Sequence, residues 1–131
     1  MNVSFGAQLK EYRNKAGMTQ SDLATAINRK SMLISLIESG KNAPPHGLLL
    51  DDIISALSLD ESEANVLRFL AAKQRGEVPN DICDYYFSTD AITVFIKTAQ
   101  SLGLKEEGWH CLIETLLRDY KDLDYKEKAH E

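Results

Sequence analysis

The chain has 131 residues, 44% of them hydrophobic, which is enough for one domain or a compact domain with a helical extension and excludes disorder as its default state. No apolar run approaches the roughly 18–20 residues a membrane-spanning helix needs, and the opening MNVSFGAQLKEYR lacks the apolar stretch of a secretion signal, so a cytoplasmic protein with no membrane contact is expected. The net charge of −5 opposes any approach to phosphates at long range, so nucleic-acid binding requires an uneven distribution of charge.

Taken in chain order, Phe5, Leu9, Tyr12 and Ala16 recur at helical spacing and Gly17 follows as a residue suited to closing a helix, which predicts a first helix over 3–16. Thr19 with Asp22 three positions later is a short capping box, so a second helix begins there and runs through Leu23, Ala24 and Ile27. A tight turn around Asn28 leads into a third helix over 31–39, with Ile34 and Ile37 inward and Gly40 closing it. Pro44 and Pro45 forbid continuation. A fourth helix over 47–58 turns Leu50, Ile53, Ile54 and Leu57 inward, and Asp60 with Glu63 caps a fifth that carries Val66, Leu67 and Leu70 to about residue 74.

The stretch RGEVPNDICDYYFSTD is rich in turn-forming residues and reads as a connector, although Ile82, Tyr85, Tyr86 and Phe87 predict that it packs down. Two further amphipathic stripes follow: Ile92, Phe95, Ile96, Ala99 and Leu102, then Trp109, Leu112, Ile113, Leu116, Leu117 and Tyr120. Gly103 between them lets the two helices fold back as a hairpin, and the final DLDYKEKAHE is expected to fray. The expected organisation is therefore all-α, with a five-helix domain over 1–76 and a helical extension over 77–131.

Charge follows the same division. Residues 1–45 carry six basic and three acidic residues, a balance of +3, whereas 77–131 carry six basic and twelve acidic, a balance of −6. The distribution fits a basic N-terminal part facing a polyanion and an acidic C-terminal part turned away from it. Cys83 and Cys111 form no Cys-x-x-Cys pair, and His46, His110 and His130 are scattered, so no disulfide framework, metal site or cofactor is signalled. Glu106, Glu107 and Glu114 lie on polar helix faces without a paired base, a phosphate loop or metal spacing, which argues against an enzyme.

The stretch TQSDLATAINRKSMLISLIESGK has two short helices, a small residue early in the first, a tight turn, and apolar anchors for the second, as a helix-turn-helix requires. With Thr19-Gln20, Leu23-Ala24, Ile34-Ser35, Ile37-Glu38 and Gly40-Lys41 in register together, it resembles the Cro and lambda-repressor-like helix-turn-helix domain of the xenobiotic-response-element type, over about Phe5 to Leu70. The resemblance implies a lambda-repressor-like five-helix domain that binds double-stranded DNA in a bacterial or phage regulator. It assigns Gln20, after the Thr19 cap, to a phosphate; Ser31, Met32, Ser35 and Leu36 to base edges; and Lys30, Lys41 and Asn42 to nearby phosphates or edges. It also implies an ion pair between Arg13 and Glu38 that locks the first helix to the third.

One departure stands out: Met32, Leu33 and Leu36 cannot donate hydrogen bonds where the family usually carries Arg, Gln, Lys or Asn. Such a face can touch thymine methyl groups and read DNA shape, or it can be a protein-binding surface. The C-terminal stripe likewise has two readings, a cover for the N-terminal core or a homodimer interface formed by Trp109, Leu112, Ile113, Leu116, Leu117 and Tyr120 with help from Phe95 and Ile96. A two-fold dimer is expected because a single helix-turn-helix reads only a few base pairs. The expected function is a repressor binding a two-fold symmetric operator as a homodimer. The alternative is a module of the same fold that binds a protein partner. A small-molecule sensor has only the aromatic cluster Tyr85, Tyr86 and Phe87 in its favour.

Overall fold

A computed structural model describes residues 3–121, and these contain helices and turns but no strand. The chain divides into two compact units, Met1–Ser88 and Thr89–Glu131, and the residues expected to fray lie outside the described range.

The first unit opens with five helices: α1 (Phe5–Lys15), α2 (Gln20–Ala26), α3 (Ser31–Ser39), α4 (Gly47–Ala56) and α5 (Glu61–Arg75). Each begins or ends where local chemistry dictates. The Ser4 hydroxyl accepts the Ala7 N–H at 3.1 Å to open α1. Asp60 and Glu63 form a reciprocal capping box at α5, each side chain accepting the other's backbone N–H, at 2.8 and 3.2 Å. Glu61 and Glu63 in the first turn of α5 and Lys73 and Arg75 in its last both complement the helix dipole.

Phe5, Leu9, Leu23, Ile34, Ile53 and Leu67 are fully buried, so each of α1 to α5 contributes to one core. Burial of each such side chain contributes about 1.5–3 kcal/mol. The α1 stripe is narrower than its sequence spacing suggests, since Tyr12 is half-buried and Ala16, at the C-cap, is exposed.

The connector belongs to the first unit, which runs to Ser88. It consists of a 3₁₀ turn (Asn80–Ile82) packed on α5 and a single-turn helix α6 (Cys83–Tyr86). Cys83 and Tyr86 are half-buried, but Ile82, Tyr85 and Phe87, expected to pack down, are exposed. One helical turn distributes its side chains around the whole axis, so only some of them can face the rest of the unit. At the C-terminus of α5, Arg75 reaches the loop before α4: its Nε donates to the Pro44 carbonyl at 2.9 Å, and Nη2 donates to the same oxygen.

The second unit contains α7 (Ala91–Ser101) and α8 (Glu106–Thr115), the latter continued by a π turn over Leu116–Tyr120. At the reversal, Gly103 takes a left-handed conformation and the Leu104 N–H returns to the Ala99 carbonyl at 3.0 Å. The rings of Phe95 and Trp109 then meet edge to face with centroids 5.9 Å apart, which joins α7 to α8. Only Ala99 is buried among the described residues of this unit. The stripe expected as one continuous helix from Trp109 to Tyr120 changes pitch at Leu116, because the π turn widens the ladder.

Candidate nucleic-acid interface

The interface is built from α2, the turn after it, and α3. Thr19 caps α2 and takes part in a complete capping box: its hydroxyl accepts the Asp22 N–H at 3.0 Å, and the Asp22 carboxylate accepts the Thr19 N–H at 2.9 Å. Acceptance of that backbone N–H holds the Asp22 carboxyl below the ordinary carboxylate value. Gln20 is the first residue of α2 and is half-buried, and its Nε2 donates to Glu38 Oε1 at 3.4 Å.

Between the helices, Asn28 adopts a φ of 58°, and the Arg29 N–H bonds to the Ala24 carbonyl at 2.8 Å. Asparagine tolerates this left-handed conformation better than most residues, so a turn of four residues (27–30) suffices to redirect the chain. Helix α3 then buries Ile34 and Ile37 and presents Ser31, Met32 and Ser35 outward, with Leu36 half-buried. Met32 is 69% exposed. Ser31 and Ser35 lie four residues apart on one face, as do Met32 and Leu36, so two hydroxyls and two apolar side chains share the outer surface.

The cations flank this face. Lys30 stands at the N-cap position of α3 and Lys41 just beyond its C-terminus, and both are exposed. Gly40 ends α3 at a φ of 81°, and the Asn42 N–H folds back to the Leu36 carbonyl at 3.1 Å, which holds Lys41 and Asn42 against the end of the helix. All nine residues assigned to DNA from the sequence therefore lie on α2, on α3 or at their immediate ends.

A buried brace orients α3. Arg13 on α1 donates Nε to Glu38 Oε2 at 2.7 Å and Nη2 to Glu38 Oε1 at 2.9 Å, a bidentate pair whose side chains are 9% and 3% exposed. Its third nitrogen, Nη1, donates to the Met18 carbonyl at 2.8 Å and to Asn14 Oδ1 at 3.2 Å. The hydrogen bonds that Arg13 donates to Glu38 raise the Arg13 pKa further above its ordinary value. Glu38 thus ties together α1, α3 and, through Gln20, the start of α2.

Two contributors to this arrangement were not singled out in the sequence. A Cβ on Gly6 would lie 2.5 Å from both the Ile37 and Glu38 carbonyl oxygens, so glycine is what lets α1 touch the C-terminal turn of α3. A glycine at the start of the helical pattern, rather than just past its C-terminal end where it would close the helix, is the available signal. Met18 contributes only its backbone carbonyl, for which side-chain identity gives no signal.

The residues assigned to a dimer interface all lie in the second unit. Phe95, Ile96, Leu112, Ile113, Leu116, Leu117 and Tyr120 are exposed and Trp109 is half-buried. Among the described residues, no three of His, Cys, Asp and Glu form a group able to hold a metal ion, and no helix is long and apolar enough to cross a membrane.

Residues 4–67 match a family model described as a helix-turn-helix domain. No curated protein and no solved structure matches the chain. A helix-turn-helix domain indicates a DNA-binding regulator. By this sequence match residues 4–67 belong to the helix-turn-helix domain family, consistent with the Cro and lambda-repressor-like resemblance.

Proposed function

We propose that the chain is a sequence-specific transcriptional regulator, most simply a repressor, that binds a two-fold symmetric operator as a homodimer and catalyses no reaction. The observation that carries this reading is the outward face of α3, rigidly braced by Arg13 and Glu38 and flanked by Lys30 and Lys41. Occupation of a promoter blocks polymerase without further machinery. The net charge of −5 is tolerable because the positive balance lies in the N-terminal part that would face DNA.

Dimerisation is assigned to the second unit. Leu116 and Leu117 are 60% and 64% exposed, and with Ile113, Tyr120 and Phe95 they form an apolar surface that a single copy of the unit leaves in water. A second copy would cover it isologously, and a two-fold dimer matches an operator whose half-sites lie about one DNA turn apart. Leu116→Asp is expected to convert the dimer to monomer in sedimentation equilibrium and to weaken operator binding indirectly, since it sets a charge against an apolar partner. A variant that remains dimeric would move the interface elsewhere.

The reading is tested by retention of randomised duplex DNA on the purified protein at low and near-physiological salt, followed by sequencing. A two-fold motif with affinity that falls steeply as salt rises is expected. Gln20→Ala should then weaken binding to all sequences by about 0.5–1.5 kcal/mol, the size of a lost hydrogen bond, while Ser31→Ala or Met32→Ala changes preference among sites. Binding indifferent to all three substitutions would remove α2 and α3 from the interface.

One observation favours a second reading, a protein-binding module of the same fold. Met32 and Leu36 make the outer face of α3 partly apolar. Contact through such a face should hardly respond to salt, and retention of DNA without any motif would shift the assignment to it.

A further inference from the structure

The first unit contains a cleft of about 740 Å³ between the start of α4, the C-terminal half of α5 and the connector that follows. The volume is in the range that small-molecule sites occupy. Leu50, Ala71, Ala72, Val78 and Phe87 supply apolar lining. Phe87, which the core leaves 70% exposed, thereby gains a surface to serve. Charges of both signs border the same space: Arg75 from α5, and Glu77 and Asp81 from the connector.

These charges are not paired with one another. Arg75 donates to a neutral acceptor, the Pro44 carbonyl, and among the described residues no carboxylate lies within ion-pair distance of it. Neither Glu77 nor Asp81 makes a side-chain hydrogen bond or ion pair to another described residue. Arg68, by contrast, already faces Asp51 at 4.0 Å and Glu61 at 3.8 Å. A guanidinium and two carboxylates around an apolar cleft are complementary to a molecule that carries both a carboxylate and an ammonium group on an apolar body. A simple anion would meet the two acids and a simple cation would meet Arg75.

We propose that this cleft is an effector site for a free α-amino acid with a large apolar side chain. Its carboxylate pairs with Arg75, its ammonium group with Glu77 or Asp81, and its side chain rests on Leu50, Ala71 and Phe87. The site is coupled to the loop after α3. Arg75 links the two: its Nε and Nη2 hold the Pro44 carbonyl, and a carboxylate on the Nη1 edge draws the guanidinium toward the cleft and weakens that hold, while Pro44 ends the short segment that begins with Lys41 and Asn42. Occupancy releases that segment from α5 and lowers affinity for DNA, and by reciprocity DNA lowers affinity for the amino acid. The coupling rests on the DNA-binding reading above, but the site does not.

The test is a titration of the full chain, without DNA, with L-phenylalanine and L-leucine, followed by ¹H–¹⁵N correlation spectra. Saturable shifts at the amides of Leu50, Ala71, Ala72 and Val78 are expected. 3-Phenylpropionate and phenethylamine, each lacking one charge, should bind at least about tenfold more weakly. Arg75→Gln should abolish the response. Because that change also frees Pro44, Phe87→Ala, at an exposed position, is the second variant and should weaken binding several-fold. Absence of saturable shifts with either amino acid overturns the site, as do shifts centred on residues 89–121. Equal binding of 3-phenylpropionate overturns the role of Glu77 and Asp81. If the site binds but L-phenylalanine leaves DNA affinity unchanged, the coupling alone is overturned.

Discussion

Glu38→Ala is expected to cost the first unit about 3–5 kcal/mol, because it leaves the Arg13 guanidinium buried without its carboxylate. Small domains have only about 5–15 kcal/mol in total, and in a unit of this size the loss corresponds to a fall in Tm on the order of 20 °C. The remaining partners, the Met18 carbonyl and Asn14, are neutral and satisfy one nitrogen of three. Two further variants separate the buried charge from lost packing. Glu38→Gln keeps shape and part of the hydrogen bonding and should lose less. The double substitution Arg13→Met with Glu38→Leu removes both charges and should regain most of the stability, since an apolar pair of similar volume often replaces a buried ion pair without loss. Thermal and urea unfolding followed by circular dichroism give the values. A loss under about 1 kcal/mol for Glu38→Ala would mean that the pair is solvated and that packing alone holds α1 on α3.

The second large effect is expected at Gly6, where alanine is favoured by helix propensity and opposed by sterics. Alanine gains about 1 kcal/mol over glycine inside a helix. Its Cβ, however, would lie 2.5 Å from two carbonyl oxygens of α3 and 2.9 Å from the Glu38 carbonyl carbon. These are backbone atoms and cannot turn aside as a side chain can, so relief requires α1 and α3 to separate. Overpacking costs about 1–3 kcal/mol and occasionally more, and here the upper end applies. Gly6→Ala should therefore destabilise on balance, and Gly6→Val by a larger margin. The separation falls at the C-terminal turn of the recognition helix, so DNA affinity measured well below the melting transition should also drop. A Gly6→Ala variant more stable than the parent would show that the helices already stand further apart in solution.

These two sites show why different parts of the structure differ in how far they can be read in advance. Glu38 was placed opposite Arg13 through the family resemblance alone, since 25 residues separate them and nothing in either helix points to the other. Gly6 was read only as part of the first helix, because its reason for being glycine is on another element. The connector shows the same limit: its aromatic residues indicated packing, yet Tyr85 and Phe87 remain exposed.

The helix boundaries were legible for a physical reason. Caps, left-handed closures and the Asn28 turn are made among residues no more than about five apart in the chain, so Thr19 with Asp22, Asp60 with Glu63, and Gly40 carry their own geometry. The inward positions of α3, α4 and α5 were legible because helical periodicity selects a face before any partner is known. Which groups meet across helices was decided only by the packed chain: Arg75 on the Pro44 carbonyl, Gln20 on Glu38, Gly6 on the end of α3, and the change of pitch at Leu116. Those contacts depend on helix separation and crossing, which many side chains determine together and no local pattern encodes.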